Sequence, residues 1–296
     1  MILINALKKY SALDPKQKDF IKGGQRIFLS PPAEIVRTLQ PLASFDKDCD
    51  AARRQSGWLA FLAFLAGVAI LFIKSTDTPV PFFEAGLIAI CCLFFLFIIL
   101  YWYFQSIDIN NRLREFAVPV LNTISQDMDK AEKMKVKLDL RGQTIPAKRT
   151  KAENHDPGWF SYPKVQRYFY RDNWFDGSAV LCDGSRLFFS VTDFVTMTIR
   201  KKKNPRGKIK SKTKYKVKSK IKVGLALKNK NYVVNADPSI TSAGDRIKQK
   251  KGDRKNIISL TRVEVSDSLE KNLEPISMLA LIGKILMSAR PAGKAG

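Results

Sequence analysis

Positively charged side chains are concentrated in one stretch of the chain, residues 200–222, which we call the lysine ladder. It contains 13 Lys and Arg side chains and no Asp or Glu. From Lys208 to Lys222 every second residue is Lys, and two residues is the side-chain period of a β-strand. This pattern favours anion binding, because a strand would place the eight alternate lysines on one face. The candidate anion-binding or partner-binding residues are Arg200, Lys201, Lys202, Lys203, Arg206, Lys208, Lys210, Lys212, Lys214, Lys216, Lys218, Lys220 and Lys222.

The residues before the ladder predict a strand that pairs with it. Residues 191–200 alternate apolar side chains with threonines, and residues 204–207 read Asn-Pro-Arg-Gly, which is typical of a turn. The sequence therefore predicts a long basic β-hairpin. Lysines also protect exposed edge strands from pairing with other chains, but about two or three would suffice for that. The longer run favours an acidic partner.

Three classes of acidic partner fit the ladder. Anionic lipid headgroups are the first, since each Lys near a membrane surface contributes about 1 kcal/mol of binding free energy. Nucleic acid is another candidate, because basic β-ribbons can neutralise backbone phosphates. An acidic protein surface in a membrane complex is the third. The sequence does not choose among them.

Residues suited to catalysis or metal binding are scarce. His155 is the single histidine, and no second His or Cys stands at metal-ligand spacing from it. We find no phosphate-binding glycine-rich loop, no Gly-x-Ser-x-Gly motif and no Cys-x-x-Cys pair. Four aspartates fall between Asp172 and Asp193, but Asp176 and Asp183 each precede a glycine and are explained as turn residues. We therefore predict no catalytic residue, no cofactor, no metal site and no enzymatic activity.

Aromatic side chains cluster upstream of the ladder and could stack nucleic-acid bases, fill the core of a β-domain or insert among lipid headgroups. No recognised single-strand-binding motif accompanies them, so core packing is favoured. They are Trp159, Phe160, Tyr162, Tyr168, Phe169, Tyr170, Trp174 and Phe175.

Two uncharged apolar runs, residues 57–73 and 85–104, are long enough to cross a bilayer as helices. Pro79 and Pro81 lie in the short connection between them, so we predict a two-pass transmembrane hairpin. More basic residues flank the outer ends of the runs than their connection, which predicts cytoplasmic N- and C-termini; a bacterial inner membrane is the expected location. The flanking basic residues are Lys47, Arg53, Arg54, Arg112 and Arg114.

The net charge of +24 is unevenly distributed, with +4 in residues 1–56, −1 in residues 57–104 and +21 in residues 105–296. Apolar residues are plentiful but segregated, which excludes a disordered basic tail and a simple soluble enzyme. Four cysteines in 296 residues exclude a disulfide-rich secreted domain.

The remaining segments complete a predicted α+β membrane protein. Residues 1–56 form a helical N-terminal segment, and residues 105–129 a helical stalk with one apolar stripe, in which Pro119 should cause a kink or a break. Residues 130–296 form a cytosolic, mainly antiparallel β-domain that ends in a helix at 275–290. The stalk or the spans could also pair with a second copy of the chain.

These patterns predict an integral membrane protein whose basic cytosolic β-domain is a non-catalytic binding or assembly module. Its expected partner is anionic lipid or an acidic protein surface. Membrane-tethered nucleic-acid binding and an accessory role in a larger membrane complex are the alternatives.

Overall fold

The structure is a computed structural model that describes residues 2–74, 83–158, 161–228, 232–234, 244–253, 255–269, 271 and 273–291. The chain forms two compact units. The first comprises Met1–Gly23 and Thr38–Asn110, and the second comprises Gly24–Arg37 and Asn111–Gly296.

The first unit is helical. It contains α1 (Ile2–Ala12), α2 (Pro15–Gly23), most of α3 (Pro32–Lys74) and α4 (Phe83–Ser106). The short helix α1 packs on α3 through Tyr10, whose ring lies 5.5 Å from that of Phe45, and through an ion pair of 2.7 Å between Lys9 and Asp48. The N-terminal helix thus packs against α3 within this unit.

The second half of α3 and the whole of α4 are long and apolar enough to cross a membrane. They lie side by side and antiparallel: a Cβ added at Gly57 would sit 3.6 Å from Tyr101, and the rings of Phe64 and Phe94 are 6.2 Å apart. Only 11% and 6% of the residues in their most apolar windows are buried. The core helices of a soluble protein would be mostly buried, so these two leave their apolar surface uncovered.

The second unit is a mixed helical and antiparallel β structure, as the sequence predicted. Its strands are β1 (Gln25–Ser30), β2 (Met134–Asp139), β3 (Arg149–His155), β4 (Lys164–Val180), β5 (Arg186–Lys203), β6 (Ile209–Lys228), β7 (Tyr232–Val234), β8 (Arg246–Lys250), β9 (Lys255–Ser266) and β10 (Ala289–Pro291). Its helical elements are a π-helical turn (Leu113–Ala117), α5 (Val118–Gln126), a 3₁₀ turn (Pro146–Lys148) and α6 (Pro275–Met287).

The main sheet has the strand order β1-β2-β4-β5-β6-β9-β8, with β3 paired to β4, and each pairing is antiparallel. The predicted turn at Asp183-Gly184 connects β4 to β5, and Gly184 adopts the positive φ of 77° that this turn requires. Strands β7 and β10 form a separate two-stranded sheet.

Helical elements cover one face of the main sheet. Phe116 of the π-helical turn packs its ring 5.3 Å from Trp174 and 5.8 Å from Phe175. In α6, Met278, Leu281 and Ile285 are buried, so the predicted C-terminal helix packs on the β-domain. Of the aromatic cluster, Trp174 and Phe175 are buried in this core and Tyr170 is buried with Val195 and Val217, whereas Trp159 and Phe160 lie outside the described residues.

Two segments differ from their predictions. Residues 25–30, expected within a helical N-terminal segment, form the edge strand β1, because their backbone pairs with β2, more than 100 residues away. The segment considered as one stalk helix is interrupted, since α4 ends at Ser106 and residues 107–110 are not helical. Pro119 lies in the first turn of α5, directly after the π-helical turn, where its missing N–H interrupts the regular hydrogen-bond pattern.

Candidate anion-binding site

The alternate lysines of the ladder lie on the face of the sheet opposite to the helices, which we call the open face. Strand β6 pairs with β5 on one side and with β9 on the other. All its even-numbered lysines from Lys210 to Lys222 are exposed, whereas Val217 and Ile221 between them are buried. From Val217 onward the period of two in the sequence thus corresponds to one exposed lysine face and one largely buried face, whereas nearer the turn both faces are exposed.

Not every residue of the ladder belongs to this row. Arg206 and Lys208 lie in the connection between β5 and β6, which is closed by a hydrogen bond of 2.9 Å from the backbone N–H of Asn204 to the carbonyl oxygen of Lys208. The strand therefore carries seven alternate lysines and not eight. Lys201 and Lys203 fall on the opposite side of β5 from Arg200 and Lys202, because adjacent residues of a strand point to opposite faces.

The register extends the open face beyond the ladder. Thr198 of β5 pairs with Arg167 of β4, and Phe194 pairs with Arg171. On the other side, Lys222 pairs with Thr261, which pairs in turn with Arg246 of β8. The basic residues that share the face with the ladder include Lys135, Lys137, Arg167, Arg171, Arg246, Lys248 and Lys250. Sequence reasoning missed their common face; the alternating Lys-Gln-Lys and Lys-Val-Lys patterns were the available signal.

Apolar side chains are exposed among these cations. Val263 and Val265 pair with Lys220 and Lys218, and they are 50% and 55% exposed. At the far edge Ile27, which pairs with Lys137, is also exposed. The open face therefore combines positive charge with apolar surface, a combination suited to binding at a membrane surface.

A cavity of about 820 Å³ lies on the open face at the turn end of the β5–β6 hairpin. We call it the basic trough. Among the described residues its lining includes no acidic side chain and six basic ones: Arg167, Arg200, Lys202, Lys210, Lys212 and Lys214. Val165, Thr198, Asn204 and Ser211 also line it. Three neighbouring strands, β4, β5 and β6, contribute the cations.

Like charges oppose each other directly in this region. Lys202 pairs with Lys210 across the strands, and Arg200 pairs with Lys212. Lysines two residues apart on a strand are about 7 Å apart, and two unit charges at that distance in water repel by about 0.6 kcal/mol. An anion bound among them would relieve this repulsion.

Two carboxylates near this end of the sheet are already held by lysines. Glu153 pairs with Arg167 in the register and forms an ion pair of 2.6 Å with Lys151. The hydrogen bond from that lysine lowers the pKa of Glu153. Asp156 lies 3.0 Å from Lys164, whose hydrogen bond likewise lowers the pKa of Asp156.

A second group of charges is buried under the helices. Asp172 and Asp193 lie opposite each other on β4 and β5, and Arg112 forms ion pairs with both, at 3.3 Å to Asp172. Lys148 lies 2.7 Å from Asp172 and 3.2 Å from Asp139. Each carboxylate has a cation within ion-pair distance, which is the arrangement of a network that holds elements together.

The environment shifts the carboxyl pKa values in this network in opposite directions. Burial raises the pKa of Asp172 and outweighs the opposing effects of Lys148 and Arg112. Burial also acts to raise the pKa of Asp139, but the hydrogen bonds from Arg141 and the charge of Lys148 together lower it. The sequence predicts Arg112 to be one of the cations that orient the spans, yet the structure buries it in this network, with its guanidinium 4.7 Å from the centroid of the Trp174 ring.

Among the described residues, no three His, Cys, Asp or Glu side chains come together in a way that could hold a metal ion. His155, expected in a loop, is the exposed last residue of β3. The chain matches no protein-family model, no curated protein and no solved structure.

Proposed function

We propose that this chain is an integral membrane protein whose basic β-domain is a non-catalytic binding module for anionic lipid headgroups. In this proposal α3 and α4 cross a bacterial inner membrane, both termini are cytoplasmic and the open face of the sheet contacts the anionic surface. The observation that carries the proposal is the open face itself. On it the row of exposed lysines on β6 lies beside exposed valines on the neighbouring strand β9.

The uncovered apolar surface of α3 and α4 supports the membrane anchor. Side chains such as Phe72 and Phe95 are more than half exposed. Exposing so much apolar area to water is unfavourable at about 25 cal/mol per Å², and a bilayer removes that penalty.

The composition of the open face supports a lipid partner. Each lysine near an anionic leaflet contributes about 1 kcal/mol, and apolar side chains such as Val263 gain further free energy if they enter the headgroup layer. If only three of the seven alternate lysines on β6 made such contacts, binding would strengthen by about two orders of magnitude.

Single-stranded nucleic acid is the second candidate, and one contact favours it. Phe194 is partly exposed on the open face, and the guanidinium of Arg171 lies 5.9 Å from its ring centroid. An aromatic ring beside cations is the usual platform for base stacking.

The test uses the full chain in neutral lipid nanodiscs, mixed with anionic or neutral vesicles or with single-stranded DNA at about 50 and 200 mM salt. We expect binding to anionic vesicles only, weakened by salt. The ladder variant replaces Lys212, Lys214, Lys216 and Lys218 by Gln. At roughly fivefold per lysine it should bind anionic vesicles at least about 100-fold more weakly.

A matched control removes four exposed lysines outside the ladder: Lys8, Lys22, Lys133 and Lys271, each replaced by Gln. It has the same net charge as the ladder variant but keeps the ladder intact, so its binding should stay close to that of the wild type. Equal loss in both variants would mean that only total charge matters. Steeply salt-dependent DNA binding without a preference for anionic vesicles would refute the lipid proposal in favour of the second candidate.

A further inference from the structure

The two ends of the β6 lysine row differ in what surrounds them. At the turn end, cations face cations across the strands, as in the pairs Lys202–Lys210 and Arg200–Lys212. From Lys216 to Lys222 the paired residues of β5 are uncharged: Thr196, Phe194, Thr192 and Ser190. On the β9 side, Lys218 and Lys220 pair with valines. Positive charge therefore converges on a cavity at one end, whereas at the other end the residues paired directly with Lys218 and Lys220 are uncharged.

From this difference we infer that the basic trough is a specific binding site for a ligand carrying two or three clustered phosphate groups. The inference rests on the proposed function, because it concerns the same open face, and it adds a defined site and a ligand class to it.

Charge balance points to clustered phosphates. The six cations of the trough lie in one cavity, and none of the described residues that line it is acidic. A phosphate monoester carries a charge of about −1.5 to −2 at neutral pH, so about three such groups would neutralise six cations. A ligand with a single carboxylate would leave most of the repulsion in place.

The hydrogen-bond donors and the volume of the basic trough agree with a ligand that carries clustered phosphates. Arg167 and Arg200 can each donate two parallel hydrogen bonds to a phosphate, while the lysines act as mobile point charges. Thr198 and Asn204 add neutral donors to the lining. The volume of about 820 Å³ lies within the usual range of roughly 300–1,000 Å³ for small-ligand sites. It would accommodate the headgroup of a polyphosphorylated lipid or a free polyphosphate.

The experiment compares two triple variants of the full chain that lose equal charge. The trough variant carries R200Q, K202Q and K212Q, and the row variant carries K218Q, K220Q and K222Q. Binding of inorganic tripolyphosphate to the chain in mild neutral detergent is measured by calorimetry. At roughly fivefold per cation, the trough variant should bind about 100-fold more weakly, and the row variant less than about threefold more weakly.

A second arm identifies the source of the phosphates. Two kinds of vesicle are prepared from the same neutral lipid. One contains phosphatidylinositol 4,5-bisphosphate, and the other contains enough phosphatidylglycerol to give the same total charge. A preference for the bisphosphate lipid that is lost only in the trough variant assigns the site to a lipid headgroup. Tripolyphosphate binding without that preference assigns it to a soluble polyphosphate.

The outcomes separate this inference from the proposed function. If both triple variants lose tripolyphosphate binding equally, or if the wild type does not bind it, the trough is not a specific site. Binding of anionic vesicles by the wild type would still support the proposed function. If the wild type shows no preference for anionic vesicles, the proposed function fails as well. Circular dichroism of both variants checks that the sheet is intact, which we expect because the substituted side chains are exposed.

Discussion

The carboxylate of Asp245 joins three elements of the second unit, and its contribution to stability can be estimated. Asp245 precedes β8, and its oxygens accept hydrogen bonds of 2.8 and 3.0 Å from Arg262 on β9 and one of 2.9 Å from Lys284 on α6. Its side chain is only 1% exposed. Replacing it by Asn keeps the size but removes the charge that holds the helix and the strand together.

The hydrogen bond from Arg262 is the largest influence on this carboxyl group, and with Lys284 it lowers the pKa of Asp245 from 3.8 to about 2 against the opposing effect of burial. A pKa difference of one corresponds to about 1.4 kcal/mol, so the ionised carboxylate stabilises the fold by about 2 kcal/mol. Because the pKa is lower in the folded state, this contribution is fully present above pH 3.8 and is lost as the pH falls through about 2.

We therefore expect Asp245→Asn to lower the free energy of unfolding by about 2 kcal/mol at pH 7, and by about half as much at pH 3. The assay is urea unfolding of the full chain in mild detergent, followed by tryptophan fluorescence, which reports on the buried Trp174. The matched control is Asp267→Asn, at an exposed position of the same unit, which should change the free energy by less than about 0.5 kcal/mol.

Two results would refute this reasoning. If both variants unfold at the same urea concentration, the contacts of Asp245 contribute no net stability. If the difference between Asp245→Asn and the wild type does not shrink between pH 7 and pH 3, the loss comes from packing and not from the ionised carboxylate.

Three further predictions concern the buried network, the cysteines and the topology. Arg112→Met should destabilise the β-domain by about 3–5 kcal/mol, because it removes the ion-pair partner of the buried Asp193, whereas Asp172 keeps Lys148; a loss below about 1 kcal/mol in urea unfolding would contradict this. Burial, with nearby aspartates, raises the pKa of the Cys49 thiol to about 12. At pH 8 a thiol reagent should therefore modify the exposed Cys182 and leave Cys49 intact until the chain is unfolded, as peptide mass spectrometry can show. A topology reporter fused at Asp77 should be found outside the cytoplasm, and a cytoplasmic signal there would reverse the proposed orientation.

Features that depend on neighbouring residues could be predicted from the sequence. The alternation from Lys210 to Lys222 fixes which side chains share a strand face, because that period is a property of the backbone itself. The turns at Asp183-Gly184 and Asn204–Gly207 were predicted for the same reason, since they depend on local backbone conformations. The two apolar helices follow from uninterrupted apolar runs, although whether they cross a membrane stays a prediction.

Features that depend on distant residues were decided only by the tertiary structure. The edge strand β1 forms because its backbone pairs with β2. Arg112 is a buried partner of Asp172 and Asp193, although its sequence context resembles that of a flanking surface cation. The basic trough needs the register that places Arg167, Arg200 and Lys212 around one volume. By itself the sequence determined that a row of lysines would share one strand face. The tertiary structure decided that this face is left open and that three strands gather its cations at one end, because strand pairing and helix packing depend on contacts between residues far apart in the chain.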